Sequence, residues 1–277
     1  GPPMTKSSRP RGRPRSAFTE SGAGTLQALD RALGVLKEVA RRDGASLTDL
    51  SRSLDIPPAT THRILTTLQG HDFVRFDEER QDWSVGLEAY RTGVAYLKRA
   101  GLADMGRPVM RRLMEETGET ANLAVPDGAE VVFIGQIETG NPIRAFFPPG
   151  SRTPMHASGT GKAILAALPE DRRARLLPRG GLTGFTARTH QSLASLAADL
   201  DATRARGWSF DRDERYEGMS CIGAAILDGR GEPCAGISIS GPSSRFSDDR
   251  LPAFGAAVTG AARELTALIA GRAPAAN

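Results

Sequence analysis

The stretch Ser46–Gln69, SLTDLSRSLDIPPATTHRILTTLQ, reads as two short helices joined by a proline-marked turn. Leu47, Leu50 and Leu54 recur at helical spacing and share one buried face. Asp55-Ile56-Pro57-Pro58 stops that helix, because a residue before proline is pushed out of the helical region. Proline then suits the first turn of the next helix, where its missing N–H would be unpaired anyway. In that second helix Ile64, Leu65 and Leu68 form the inward face, leaving Ala59, His62, Arg63, Thr66 and Gln69 outward. Small and polar residues on the outer side of a short amphipathic helix fit a reader of the DNA major groove. Any helical hairpin in a core could carry the same pattern, so the flanking sequence decides.

Downstream, Phe73-Val74-Arg75-Phe76 and Trp83-Ser84-Val85 alternate apolar and polar residues as half-buried strands do, with a charged turn, Asp77–Asp82, between them. Helix, turn, helix and a two-stranded hairpin make the winged form of the helix-turn-helix. Upstream, Leu26, Leu29, Leu33 and Leu36 predict an amphipathic helix through about Arg41, packed behind the helix pair. Arg31 lies off that stripe and is a candidate phosphate contact.

With these elements in order, the chain resembles the IclR family of bacterial transcription regulators. The resemblance is carried by LDRALGVLKEVA (Leu29–Ala40), THRILTTL (Thr61–Leu68), WSVG (Trp83–Gly86) and HASGTGKAIL (His156–Leu165). It spans about Gly24 to Ala270, and it implies a DNA-binding regulator rather than an enzyme, with no cofactor. Members commonly carry polar residues where this chain has Pro58 and Ala59, so the bases read are left unassigned.

A chain of 277 residues predicts about two domains. No run of eighteen apolar residues suggests a membrane span, and no apolar segment follows the basic N-terminus as a secretory signal would. Gly1-Pro2-Pro3 before Met4 reads as a cloning scar. Residues 1–100 carry 16 Lys/Arg against 12 Asp/Glu, and the rest carries 20 against 20, so the net +4 sits in the DNA-binding part. Lys6, Arg9, Arg11, Arg13 and Arg15, set among Ser, Pro and Gly, predict a disordered basic arm over residues 1–23, suited to DNA phosphates or the minor groove. Cys221 and Cys234 make neither a disulfide framework nor a zinc set, and His62, His71, His156 and His190 lack paired metal-ligand spacing. A reduced, cytoplasmic protein without a metal is expected.

The expected organisation is therefore a winged helix-turn-helix over 24–86, a linker helix over 87–100 and an effector-binding domain over 101–272. In the linker, Leu87, Tyr90, Val94 and Leu97 share a face that a partner subunit could bury, and a palindromic operator calls for a dimer. The resemblance implies a homodimer or homotetramer. In the second domain, a helix over Leu102–Thr117 is followed by strands at Thr120–Val125, Glu130–Ile137 and Pro142–Phe147, with a turn at Asp127-Gly128. A helix from Leu193 to about Arg206 precedes strands at Trp208–Asp211, Ile222–Leu227 and Cys234–Ser240, and Ser247–Ala270 closes the chain as a helix. Helices bracketing an antiparallel sheet define an α+β domain, which the resemblance implies is GAF-like and binds a small effector.

Two features suit a small acid. His156–Lys162 opens an apolar helix whose bare N–H groups could meet an anion; a phosphate loop fails, since it needs glycine at His156 and Ser or Thr at Ala163. A helix-capping role alone is the other reading of Ser158. Ser238 and Ser240 lie two apart on a strand and point to one face, opposite Ile237 and Ile239, where they could hold both oxygens of a carboxylate or equally be ordinary exposed strand serines. Members that respond to 2-oxo acids hold the ligand at positions matching Gly159 and Thr160 (backbone N–H), Asp211, Cys221, Ser238 and Ser240, which implies glyoxylate or pyruvate, with glyoxylate favoured and aromatic acids the alternative. Asp211 could accept a hydrogen bond from a hydroxyl of the glyoxylate hydrate. Ile143, Ala145 and Phe146 are candidates for an apolar wall. On the DNA side the candidates are Thr60, His62, Arg63 and Thr66 on the second helix, Arg75 and Arg80 on the wing, and Arg31. A rival reading assembles Cys221, His156 and Asp211 into a hydrolytic nucleophile, base and orienter; another is a winged helix that binds protein.

Overall fold

A computed structural model describes residues 24–270 of the chain. The basic arm and its arginines lie outside the described residues. The chain divides between Tyr96 and Leu97 into two compact units.

In the first unit, α1 (Gln27–Arg42), α2 (Leu47–Leu54) and α3 (Pro58–Gly70) precede a hairpin of β1 (Val74–Asp77) and β2 (Asp82–Val85), and α4 (Leu87–Ala100) follows. The turn between α2 and α3 is built as its residues dictate. Ser46 caps α2 by accepting the Asp49 N–H, Asp55 ends it in the left-handed region, and Pro58 opens α3. Thr61, fully buried, ties the turn down by donating its hydroxyl to the Pro57 carbonyl. Leu50, Ile56, Leu65, Val74 and Trp83 fill the core, with Phe76 packed on Trp83 at 4.8 Å. Ala45 and Trp83 exchange backbone hydrogen bonds, adding a third edge to the wing.

The structure corrects the reading of α1. Leu26, Leu29 and Leu33 are 70%, 55% and 47% exposed, while Val35 and Val39 are fully buried and Leu36 packs beside them. Only the later turns of the helix meet the helix pair and the wing, so the core selects positions 35, 36 and 39. The earlier leucine stripe stays in solvent, as do Leu87 and Tyr90 of α4.

The second unit is α+β. Its six-stranded antiparallel sheet runs β5-β4-β3-β8-β7-β6, formed by β3 (Thr120–Asp127), β4 (Glu130–Ile137), β5 (Arg152–Pro154), β6 (Ser209–Arg212), β7 (Met219–Leu227) and β8 (Pro233–Pro242). On one face α5 (Leu102–Thr117) and α9 (Leu251–Ala270) cover Leu123, Ile222, Ile237 and Ile239. On the other, α6 (Gly159–Ala167) and α8 (Leu193–Arg206) pack with Phe133, Met155 and Ala124, and α7 (Glu170–Leu176) lies between them in sequence. Strand alternation thus sends Ile237 and Ile239 to the first face and Ser238 and Ser240 to the second.

Two expectations fail here. Pro142–Phe147 is irregular, and the short β5 takes the place beside β4 instead. Pro142, Pro148 and Pro149 cannot donate to a ladder, and the Ile143 carbonyl is taken by the Arg245 guanidinium. The closing helix starts at Leu251 rather than Ser247, because Ser243–Arg245 forms a 3-10 turn and the next residues bend into α9. β5 and α7 went unread, being too short to show a period.

Candidate functional site

The cavity of the second unit lies where the N-terminus of α6 meets β7 and β8. Its lining includes Ser158, Gly159, Thr160, Asp211, Cys221, Ser238 and Ser240. Glycines allow the close approach. A Cβ on Gly161 would sit 2.4 Å from the Met155 Cα, and one on Gly223 would sit 2.5 Å from the Gly159 carbonyl carbon. Ser158 caps α6 by accepting the Gly161 N–H. Among the described residues the N–H groups of Gly159 and Thr160, which head the helix at its positive end, meet no hydrogen-bond acceptor. Capping by Ser158 thus leaves these two amides open.

The serines are prepared as donors. The side-chain NH2 of Asn122 donates to both Ser238 Oγ (3.3 Å) and Ser240 Oγ (3.0 Å). Gln136 Nε2 in turn donates to the Asn122 carbonyl oxygen at 3.1 Å and sets its orientation. With its oxygen already accepting, the Ser238 hydroxyl can turn its proton into the cavity, while Ser240 also shares a hydrogen bond with the Cys221 thiol. Converging N–H and O–H donors suit a carboxylate. Asn122 and Gln136 escaped notice in the sequence, because their role depends on pairing across β3, β4 and β8.

Asp211 is buried at the cavity wall, accepting the Glu214 N–H at 2.9 Å. Burial, together with the nearby Glu214 charge and against the pull of Lys162, pushes its carboxyl up to about 7. The Cys221 thiol lies 3.0 Å from Ser240 Oγ, and burial, with the Asp211 charge adding to it, pushes it well above its usual range. It is a protonated thiol at neutral pH, not a ready nucleophile. His156, the base of the rival hydrolytic reading, is turned away, with Nε2 2.7 Å from the Thr183 carbonyl.

The wall differs from the expected one. Ile143 and Phe146 are 71% and 61% exposed, and Ala145, though buried, is not part of the lining. Phe133 and Phe147, stacked at 4.7 Å, line the cavity together with Met219. The loop that replaced the expected strand turns Phe147 inward and leaves Ile143 and Phe146 outside.

Beside the cavity is a buried charge cluster. Lys162 is fully buried, and its ammonium donates to Asp199 Oδ2 (2.6 Å), Glu214 Oε1 (2.8 Å) and the Phe210 carbonyl (2.6 Å). Burial opposes its charge, but Glu214, Asp199 and Asp211 hold it protonated. His190 bridges Asp199 at 2.7 Å and Ser195 at 2.6 Å. Burial disfavours the Asp199 charge as well, yet the hydrogen bond from His190 and the Lys162 charge hold it below the usual carboxylate range. His190, Asp199 and Glu214 come close enough to ligate a cation, and the ammonium of Lys162 occupies that position. The sequence signal was a lone lysine in an otherwise apolar, buried helix, which requires buried carboxylates to meet it.

On the first unit, His62, Arg63 and Thr66 are exposed along α3, and Thr60 is half-buried. Thr66 gives its hydroxyl proton to its own helix, at the His62 carbonyl (2.8 Å), keeping only acceptor capacity. Arg75 is engaged by Asp72 through two hydrogen bonds of 3.0 and 3.3 Å. Arg80 stands exposed at the wing tip, where Asp77 accepts its backbone N–H, and Arg31 is half-buried on α1. Arg63 makes no ion pair among the described residues, which leaves its guanidinium available.

A winged helix-turn-helix joined to a domain with a donor-lined cavity defines a ligand-responsive transcription regulator. Residues 28–78 match the IclR helix-turn-helix domain, and residues 94–267 match the family described as bacterial transcriptional regulator IclR C-terminal. The chain belongs to the IclR family. It is 48% identical over 267 residues to the HTH-type transcriptional regulator BhcR of Paracoccus denitrificans, covering 95% of each chain. It is 43% identical over 259 residues to the transcriptional repressor IclR of Escherichia coli, covering 92% of this chain and 94% of that one. The crystal structure of Thermotoga maritima IclR superposes with a TM-score of 0.71 at 25% identity, covering 87% of this chain and 98% of that one. Among the described residues, no helix is long and apolar enough to cross a membrane.

Proposed function

We propose that the cavity binds a small 2-oxo acid, with glyoxylate favoured, and that its occupancy alters binding of the α3 helices to a palindromic operator. The observation that carries this reading is the convergence of donors. Gly159 and Thr160 at the head of α6 and the hydroxyls of Ser238 and Ser240 line one cavity, with both serine oxygens accepting from Asn122. A carboxylate matches that set, while Asp211 meets a hydroxyl of the glyoxylate hydrate. Pyruvate, with a ketone and a methyl, would rely instead on Phe133, Phe147 and Met219. The protein acts as a dimer or a pair of dimers, and the exposed leucines of α1 together with Leu87 and Tyr90 offer apolar surface for self-association. Its place of action is the cytoplasm.

The test is a gel shift on DNA upstream of the protein's own gene, titrated with glyoxylate, pyruvate and aromatic acids. Glyoxylate is expected to release or reshape the complex, with reciprocal weakening of glyoxylate binding by DNA. A complex untouched by every acid would overturn the cavity assignment and leave the regulator standing. In the same assay Arg63→Ala is expected to weaken specific binding by about 1–3 kcal/mol. Equal loss on all sequences would mean that Arg63 contacts phosphate rather than a base.

Asp211→Asn separates the effectors. It is expected to weaken glyoxylate by roughly tenfold or more, the scale of a hydrogen bond to a charged group, and pyruvate much less; calorimetry reads both. It also tests the pH linkage. The folded-state value of Asp211 is raised to about 7 from 3.8, so its contribution to stability is present below the unfolded value and is lost as pH rises through about 7. Asn at this position should remove that part of the decline between these limits, as read by denaturation at a series of pH values.

A further inference from the structure

Arg215 lines the same cavity, and nothing in the small-acid reading uses it. Its guanidinium carbon lies 4.1 Å from the Phe185 ring centre and 4.4 Å from that of Tyr216. The two rings hold the cation in place. Phe185 is itself fixed: Thr189 accepts its backbone N–H at 3.0 Å and donates its own hydroxyl to the Glu214 carbonyl, next to Arg215. Of the carboxylates nearest in sequence, Glu217 is exposed and forms no ion pair among the described residues, and the others are engaged elsewhere. Glu214 faces Lys162, Asp213 accepts from Ser243 and the Gly218 N–H, and Asp211 accepts the Glu214 N–H. Among the described residues Arg215 therefore has no ion-pair partner, and its Nε is buried without a hydrogen bond. A half-buried cation with one buried, unmet donor at the wall of this cavity suits an anion that the protein does not supply.

We propose that Arg215 is a specificity residue for a second acid group, so that the cavity prefers small 2-oxo dicarboxylates over a two-carbon acid. The inference rests on the small-acid reading above. One carboxylate takes the α6 amides and serines, and the oxo or hydrate group takes Asp211. A two-carbon acid then has no atoms left for Arg215. A longer acid places its second carboxylate there, and the aromatic clasp keeps the guanidinium from swinging inward to share the first.

Calorimetry on the full-length protein would compare glyoxylate with ketomalonate and oxaloacetate. Ketomalonate keeps the hydrated carbon and adds only a carboxylate. At least one dicarboxylate is expected to bind the unchanged protein about tenfold or more tighter than glyoxylate, as a charge-assisted pair would give. Arg215→Gln should abolish that preference and leave glyoxylate within about twofold, whereas Arg215→Lys should retain part of it through charge alone. Glyoxylate binding with no dicarboxylate preference would overturn the role of Arg215 and leave the small-acid reading intact, as would equal loss of all acids in Arg215→Gln. Failure of every acid to bind the unchanged protein would overturn both.

Discussion

Lys162→Met is expected to destabilise the C-terminal domain by about 3–5 kcal/mol, the usual cost of removing one member of a buried charge group. The ammonium donates to Asp199, Glu214 and the Phe210 carbonyl, and its side chain is fully buried. Methionine fills the stem but removes the ammonium from Asp199 and Glu214, leaving His190 as their remaining partner beside the buried Asp211. Against a total of about 5–15 kcal/mol for a typical domain, that is a large share. The measurement is urea unfolding of the full chain, which contains Trp208 in this domain and Trp83 in the other as local fluorescent reporters. A companion variant keeps the test sharp: Lys162→Met combined with Asp199→Asn and Glu214→Gln removes the stranded charges and should recover much of the loss. A loss below about 1 kcal/mol in the single variant would refute the cluster as a structural support. Lys162→Arg should also be poorly tolerated, since a fully enclosed site shaped for a compact ammonium has no room for a planar fork.

Gly223→Ala is expected to abolish effector binding and to cost about 1–3 kcal/mol or more, as overpacking does. Its added Cβ would meet backbone: the Gly159 carbonyl carbon and oxygen at 2.5 Å and the Thr160 nitrogen at 2.9 Å. Backbone cannot rotate aside, so the first turn of α6 must lift from β7. The amides of Gly159 and Thr160 would then no longer converge with the serines, and an anion site depends on that convergence to within fractions of an ångström. Calorimetry with glyoxylate and circular dichroism together check it. Normal glyoxylate binding by a folded Gly223→Ala protein would contradict the geometry of the site. Gly260→Ala serves as the control, since a Cβ there meets nothing within 4 Å and alanine favours a helix.

How much of this was legible in the sequence follows the range of the interaction involved. The helix pair was readable because Leu47, Leu50 and Leu54, and then Ile64, Leu65 and Leu68, recur at helical spacing and Pro57-Pro58 marks the turn, both local properties of the chain. The pairing of Ser238 with Ser240 on one face was readable for a similar reason, since a strand alternates whatever it packs against. The helix over Leu102–Thr117 and the strand over Glu130–Ile137 carried the same kind of signal and fall where expected. The α1 stripe misled. Leu26, Leu29 and Leu33 have the correct period, but periodicity reports an apolar face and not what covers it; in the described residues the core takes Val35 and Val39 instead. The apolar wall of the cavity was misassigned because Pro142–Phe147 has strand-like composition yet no ladder to join.

The amino-acid sequence by itself determined the winged helix-turn-helix, the α+β partner domain, the outward His62 and Arg63, and a glycine-rich helix start facing a strand with two serines. These rest on spacing, turn chemistry and residue type within a few positions. Only the tertiary structure decided that Asn122 donates to both serines while Gln136 orients it, that Lys162 turns inward to Asp199 and Glu214, and that Arg215 lies between Phe185 and Tyr216. Each depends on residues brought together from distant parts of the chain, such as Asn122 with Ser238, Lys162 with Asp199, and Arg215 with Phe185, a proximity that only folding creates.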